Sequence, residues 1–334
     1  MQEHTTDIAS WDLLPTEDGI RIGNSILWLD AQFTPDLSFL SGASSLKNRT
    51  TSKVIATEET CRLLAINNIR LNALVVAYNQ NVSIGQFKLE LLPSGAGLGA
   101  ASLYVETRQS SLLYAPRLQP QKTGISRTMQ LKRADTLILG AHTPYPPSHH
   151  PSRKKEKERL LHTMQAYIEQ GLCPVLVCEP YAIAQEICKL LAEANVPLSV
   201  AGSIFRTNKV YESYGSDIGP YTMQHKKMDT PRVIMVPQMQ EKEKKTIYPI
   251  PPGPVFMIDE SSHQPVQSDI RRPPVERFVI SATCDARELK TIIQTVEPRE
   301  VFITGPYAKQ YASELGSLKS PVIALFPSHL PTLF

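Results

Sequence analysis

The segment Leu91-Leu92-Pro93-Ser94-Gly95-Ala96-Gly97-Leu98-Gly99 invites a chemical reading first, because closely spaced glycines let a phosphate approach backbone amides. Its spacing departs from GxGxxG, and no Lys-Ser or Lys-Thr follows as a phosphate-cradling loop would need. It reads as a tight turn between two strands. The eight histidines are His4, His142, His149, His150, His162, His225, His263 and His329. A catalytic metal centre takes three or more ligands on a rigid frame. Only His142, His149 and His150 cluster, within a proline-rich stretch that reads as a surface loop. Cys173 and Cys178 are close but flank or occupy an apolar strand, where thiols pack as small hydrophobes. Ser94 lacks the GxSxG elbow of a hydrolytic nucleophile. Arg271, Arg272 and Arg277 make the approach to a late apolar strand locally basic; they could face a phosphate backbone or salt-bridge within the fold. Chemistry alone yields no catalytic constellation.

The elements that would position these residues fall into two textures. Up to about residue 150 the pattern predicts short strands at 25–29, 73–78, 86–92, 102–106, 112–114 and 135–139, with helical character at 58–66. After the proline-rich stretch 144–151, an amphipathic helix is expected over 153–169, its start charged and its end marked by Gly171. Strands at 174–178 and 198–201 with the helices at 153–169 and 183–194 read as a parallel α/β unit, and residues 214–254 as loops holding one strand at 233–236. The segment Glu241 to Lys245 reads as a solvated turn. A closing series is expected from strands at 278–280, 300–303 and 322–325 and helices at 286–296 and 307–315.

Composition sets the class. The chain has 334 residues, 42% apolar and 20% charged, which is ordinary for a globular protein with a full core. Thirty-five Lys and Arg face 32 Asp and Glu, so the net charge of +3 gives no bulk argument for nucleic-acid binding. No apolar run suits a membrane span and the N-terminus lacks a signal-peptide pattern, so a cytoplasmic protein without membrane association is expected. Five cysteines, Cys61, Cys173, Cys178, Cys188 and Cys284, read as reduced and largely buried.

Taken as an ordered series, the segments resemble the metallo-β-lactamase fold with a β-CASP insert, and most nearly the ligase-associated DNA exonucleases. In that family one segment reads LxPAGHxLGSAxxxxE; here Leu91 to Ala101, running on to Glu106, keeps nearly all of it. Leu112 to Arg117 is similar to the strand leading to YTGD, and Asp135 to His142 to the DxLIxEST strand. Arg271-Arg272 with Phe278 to Asp285 resembles the approach to FxLSDHAD, and Val301 to Gly305 resembles VYxTHG. The resemblance covers roughly Trp11 to Leu325. It implies an α/β fold: a metallo-β-lactamase αβ/βα sandwich from 1–150 and 270–334, with a β-CASP-like α/β cap inserted at 151–269.

The framework matches, but the family's metal ligands do not. The HxHxDH positions fall at about Leu40, Gly42, Ser44 and Ser45; the PAGH histidine is Ala96, the YTGD aspartate Arg117, the acidic residue of the EST strand Gly140, the SDHAD histidine Thr283 and the THG histidine Gly305. Asp30 and Asp285 survive. A two-metal hydrolase needs carboxylate and imidazole donors to hold its cations and generate hydroxide, and these residues supply none. The expectation is a catalytically inactive, nuclease-like protein without metal or other cofactor. It would act as a scaffold or accessory subunit with a protein partner in nucleic-acid processing or repair. Weak nucleic-acid binding would fall to Arg117, Arg271, Arg272 and Arg277, and to the run from Arg153 to Arg159. The alternative is an active metal-dependent hydrolase with a relocated site using His142, His149, His150 and Asp30.

Overall fold

The computed structural model describes residues 11–46, 53–144, 149–224, 230–238, 253–259 and 275–327, and is a mixed α/β molecule with three sheets and six α-helices among those residues. The first sheet takes its strands in chain order: β1 (Leu13–Pro15), β2 (Ile20–Ile22), β3 (Leu27–Leu29), β4 (Leu37–Phe39), β5 (Lys53–Ala56) and β6 (Asn72–Val75). In the second, an antiparallel meander of β7 (Asn81–Ile84), β8 (Phe87–Pro93), β9 (Ala101–Glu106) and β10 (Ser111–Ala115) leads to β11 (Thr136–Gly140). The third sheet is all parallel, in the order β14 (Thr222–Met223), β13 (Leu198–Val200), β15 (Val233–Pro237), β12 (Val175–Cys178), β16 (Val255–Asp259), β17 (Glu276–Val279). The second sheet closes with β18 (Glu300–Thr304) and β19 (Val322–Ala324), parallel to β11.

Alternation sorts the side chains of the first two sheets. Leu27, Leu29, Phe39 and Ile55 of one share a buried cluster with Leu89, Leu91, Leu103, Val105 and Ile138 of the other. The opposite face of the second sheet, with Leu113, Leu137, Leu139 and Ile303, is covered by α5 (Ala286–Val296) and α6 (Ala308–Leu315). β11 is buried along its whole length because it lies between β10 and β18 with apolar cover on both faces. The third sheet carries α2 (Arg153–Glu169), α3 (Ile183–Glu193) and α4 (Gly202–Ser213). Their core runs on without a break into Leu40 of the first sheet and Leu63 and Leu64 of α1 (Glu58–Ala65).

Local chemistry fixes the helix ends. The Thr57 hydroxyl caps α1 by accepting from Thr60 N, and Ser152 caps α2. Asp285 and Glu288 form a reciprocal capping box at the start of α5. α4 is a helix the pattern did not announce, since it opens on glycine without a side-chain cap and buries Thr207 and Asn208. The strand expected at 278–280 is β17 at Glu276–Val279, and it pairs with β16 in the third sheet. No helix among the described residues is long and apolar enough to cross a membrane.

Candidate functional site

Five chain segments, each just beyond the C-terminal end of a strand, meet around one small cavity. They are Ser41 to Ser44 after β4, Ala96 and Gly97 after β8, Arg117 after β10, Glu179 after β12 and Ala282 after β17. Strand ends are where α/β folds usually place chemistry, because loops there are free to carry polar groups. The cavity offers about 20 Å³ of room to water, enough for about one molecule.

The glycine turn helps to build this closure. Gly95 has φ +78°, and a Cβ there would lie 2.1 Å from the Gln119 carbonyl oxygen. Gly99 has φ +75° and packs against the start of α1, its carbonyl accepting from the hydroxyls of Thr57 (2.8 Å) and Thr60 (2.9 Å). On the other side Tyr211 of α4 seals the turn: its hydroxyl accepts from Leu98 N at 3.0 Å and donates to the Tyr181 carbonyl. The glycines therefore serve close packing of the loop against α1 and α4.

Charge in the site is carried by Asp30, Arg117 and Glu179. Asp30, at φ 48°, directs its carboxylate to Ser41 N (2.7 Å), Ser41 Oγ (2.7 Å) and Tyr114 Oη (2.9 Å). Burial pushes the Asp30 carboxyl above its usual range, against the pull of those donors and of the Arg117 charge. Burial likewise raises Glu179, opposed by Arg117 and by the backbone N–H groups of Tyr181, Ala182 and Ile183. The Ala182 N–H donates to Glu179 Oε2 at 2.9 Å. The Arg117 charge thus acts on a carboxyl beside the first sheet and on another beside the third.

The two-metal centre implied by the resemblance does not fit these residues. Ser, Gly and Ala occupy most of the cavity wall, and both nearby carboxylates are already engaged by protein donors and Arg117. Leu40 is buried in the core, and Thr283 is buried with its hydroxyl 2.9 Å from that of Ser281. Two positions exclude any ligand side chain. A Cβ on Gly140 would sit 1.9 Å from the Pro116 carbonyl oxygen and 2.6 Å from His142 Nε2. Gly305 has φ +100°, and its Cβ would lie 2.8 Å from the Ala141 carbonyl oxygen.

The histidines of the relocated-site alternative do not come together. His142 Nε2 lies 3.0 Å from the Pro116 carbonyl, and His149 is exposed. His150 joins Asp285 and Glu288 in a grouping with the spacing of a metal site. The Asp285 carboxylate already accepts from Glu288 N (2.9 Å), His150 N (2.9 Å) and Arg287 (3.0 Å), and the Arg287 guanidinium places a cation there. His150 Nε2 is 2.9 Å from the Thr143 hydroxyl, and burial lowers the His150 pKa.

Of the arginines expected to meet nucleic acid, Arg271 and Arg272 lie outside the described residues. Arg277 pairs with Asp259 at 3.4 Å and is mostly buried. Arg153 binds Glu186, and Arg159 binds Glu156 and Glu276 while covering the Phe278 ring at 4.3 Å. Sequence reasoning missed Glu179 and Tyr211. A carboxylate directly after an apolar parallel strand was the available signal for Glu179; Tyr211 had none.

No protein-family model matches the chain. It is 23% identical over 320 residues to a probable DNA ligase of Opitutus terrae, a match covering 91% of this chain and 30% of that protein. It is 25% identical over 155 residues to an RNase J-like protein of Methanocaldococcus jannaschii, covering 43% of this chain and 36% of that one. The chain thus spans about a third of the length of each curated relative. A crystal structure of a protein of unknown function from Enterococcus faecalis V583 has the same overall fold, with TM-score 0.58 at 12% identity over 87% of this chain and 79% of that chain. The names of the two curated relatives refer to a DNA ligase and to an RNase J-like protein.

Proposed function

We propose that this chain is a nuclease-like protein without nuclease chemistry, acting as a scaffold or accessory subunit in nucleic-acid processing or repair. The observation that carries this reading is a cavity at the strand ends lined by Ser, Gly, Ala and Arg117 rather than by metal ligands, together with Gly140 and Gly305, which have no room for a ligand side chain. The Arg117 guanidinium attracts nearby carboxylates, but it cannot activate water as a bound metal cation does. The architecture proposed is the metallo-β-lactamase sandwich, 1–150 with 270–334, around a β-CASP-like cap at 151–269. The pairing of β17 with β16 supports extending the cap to about residue 280. A DNA-joining enzyme is the proposed partner, supported by the long ligase-named relative that contains a region similar to this chain.

The competing reading, a hydrolase with a relocated site, is favoured by the His150–Asp285–Glu288 grouping. It would require Arg287 to leave Asp285 and the α5 cap to open. Elemental analysis of protein purified without chelator separates the two. The proposal expects no stoichiometric zinc or manganese; about one ion per chain, lost in His150→Ala, would favour the hydrolase.

A further inference from the structure

Arg277 is mostly buried and Arg271 and Arg272 lie outside the described residues, but the start of the run from Arg153 to Arg159 borders a surface groove with Lys122. A groove of about 310 Å³ runs between the loop carrying Lys122 and the first turns of α2. Its walls hold Lys122, Arg153, Lys154 and Lys157, and its apolar floor is Leu161 and Leu190. Two carboxylates oppose these four cations. Glu186 is buried and shared by Arg153 and Lys157. Glu158 meets Lys154 at 3.9 Å with both side chains well exposed, a pairing that water and salt screen to little. Lys122 is exposed and has no carboxylate within ion-pair distance among the described residues. The groove therefore keeps a net positive charge, to which the N-terminal end of the 17-residue α2 adds its dipole.

We propose that this groove binds the sugar–phosphate backbone of a single nucleic-acid strand. The inference rests on the nucleic-acid reading of the preceding subsection and assigns it a surface away from the closed cavity. Three features select the occupant. The exposed ammonium groups of Lys122 and Lys154, backed by the excess of cations over carboxylates in the lining, suit a chain of phosphates. An apolar floor suits sugar and base faces, as in strand-binding grooves generally. The positive end of the α2 dipole at the groove favours an anionic ligand. Lys154 on α2 and Lys122 on the loop would then meet neighbouring phosphates of one strand.

The test uses the full chain, with fluorescence anisotropy of labelled oligo(dT) and oligo(U) of equal length at a series of salt concentrations, and poly-glutamate as competitor. Lys122→Glu and Lys154→Glu change exposed residues outside the cavity, and thermal melts report whether the fold is kept. The expected result is salt-sensitive binding that the double variant weakens by about tenfold at low salt. The slope against log salt should become shallower by about 0.7 for each phosphate that is no longer neutralised. Equal weakening for both oligonucleotides assigns the shared backbone; weakening for only one adds selectivity for that sugar. Parent-like binding and slope in the double variant would overturn the groove, as would absence of any binding by the parent. Displacement by poly-glutamate as effective as by oligonucleotide would replace the strand with an acidic peptide. Cleavage of the oligonucleotides by the parent would instead overturn the non-catalytic reading while leaving the groove in place.

Discussion

Gly140→Ala tests whether the loss of ligands is built into the packing. Gly140 ends the central strand β11, pairing with Thr304 of β18 on one side, while the neighbouring Leu139 pairs with Ala115 of β10 on the other. A Cβ at this position would be 1.9 Å from the Pro116 carbonyl oxygen, whereas real Cβ atoms essentially never come under 3.0 Å. Either β11 or the Pro116 peptide must move by about 1 Å, and the latter carries the bond to His142 Nε2. Overpacking of this kind costs about 1–3 kcal/mol, and losing the hydrogen bond adds about 1. Gly171→Ala is the control: its φ of +78° gives backbone strain of about 1 kcal/mol, but its Cβ would meet nothing within 4 Å. Urea unfolding should place Gly140→Ala about 2–4 kcal/mol below the parent and clearly below Gly171→Ala. Gly140→Asp, which restores a carboxylate, should be worse again, because the acid would be buried against a carbonyl. The reasoning fails if Gly140→Ala is no more destabilised than Gly171→Ala.

Arg117→Met removes the positive charge that opposes the rise by burial of the Asp30 and Glu179 carboxyls. Raised groups contribute fully to stability below the ordinary carboxylate range and lose that contribution as pH rises through their folded values. Denaturant melts should therefore show a penalty of about 3 kcal/mol at neutral pH that shrinks toward about pH 4; a pH-independent penalty would contradict this charge coupling. Asp285→Ala opens the α5 capping box and strands His150 N, costing about 1–2 kcal/mol at neutral pH. Hydrogen bonds and Arg287 hold the Asp285 carboxyl low against burial, so this gap should close as pH falls through the depressed value, read by thermal melts across the acid range. Tyr211→Phe leaves Leu98 N without its acceptor and should raise amide exchange across the glycine turn while leaving α5 unchanged; unchanged exchange at Leu98 would argue against the seal.

Legibility from sequence followed the length and clarity of each signal. α2 and α5 begin and end where expected because Ser152, Gly171 and the Asp285–Glu288 pair mark their termini. β1, β2 and β4 are three residues long, too short for alternation to register, and β14 has two. β16 is hidden in sequence because it follows a long polar and proline-rich stretch. At the site, the neighbourhoods of Ala96, Arg117 and Thr283 were legible through ordered motifs, and the structure gathers Ala96, Arg117 and Ala282 at one cavity. The role of Glu179 was not, since one carboxylate after an apolar strand is commonplace. Nor was the meaning of Gly140 and Gly305: absence of a ligand can be read in one dimension, but absence of room for one exists only in three.

The central claim is tested most directly by incubating the purified chain with end-labelled single- and double-stranded DNA and RNA, with magnesium, manganese or zinc supplied in turn. The account predicts no cleavage above that of a mock purification under any of these conditions. Cleavage that co-elutes with the protein and is abolished by Asp30→Ala or His150→Ala would contradict it.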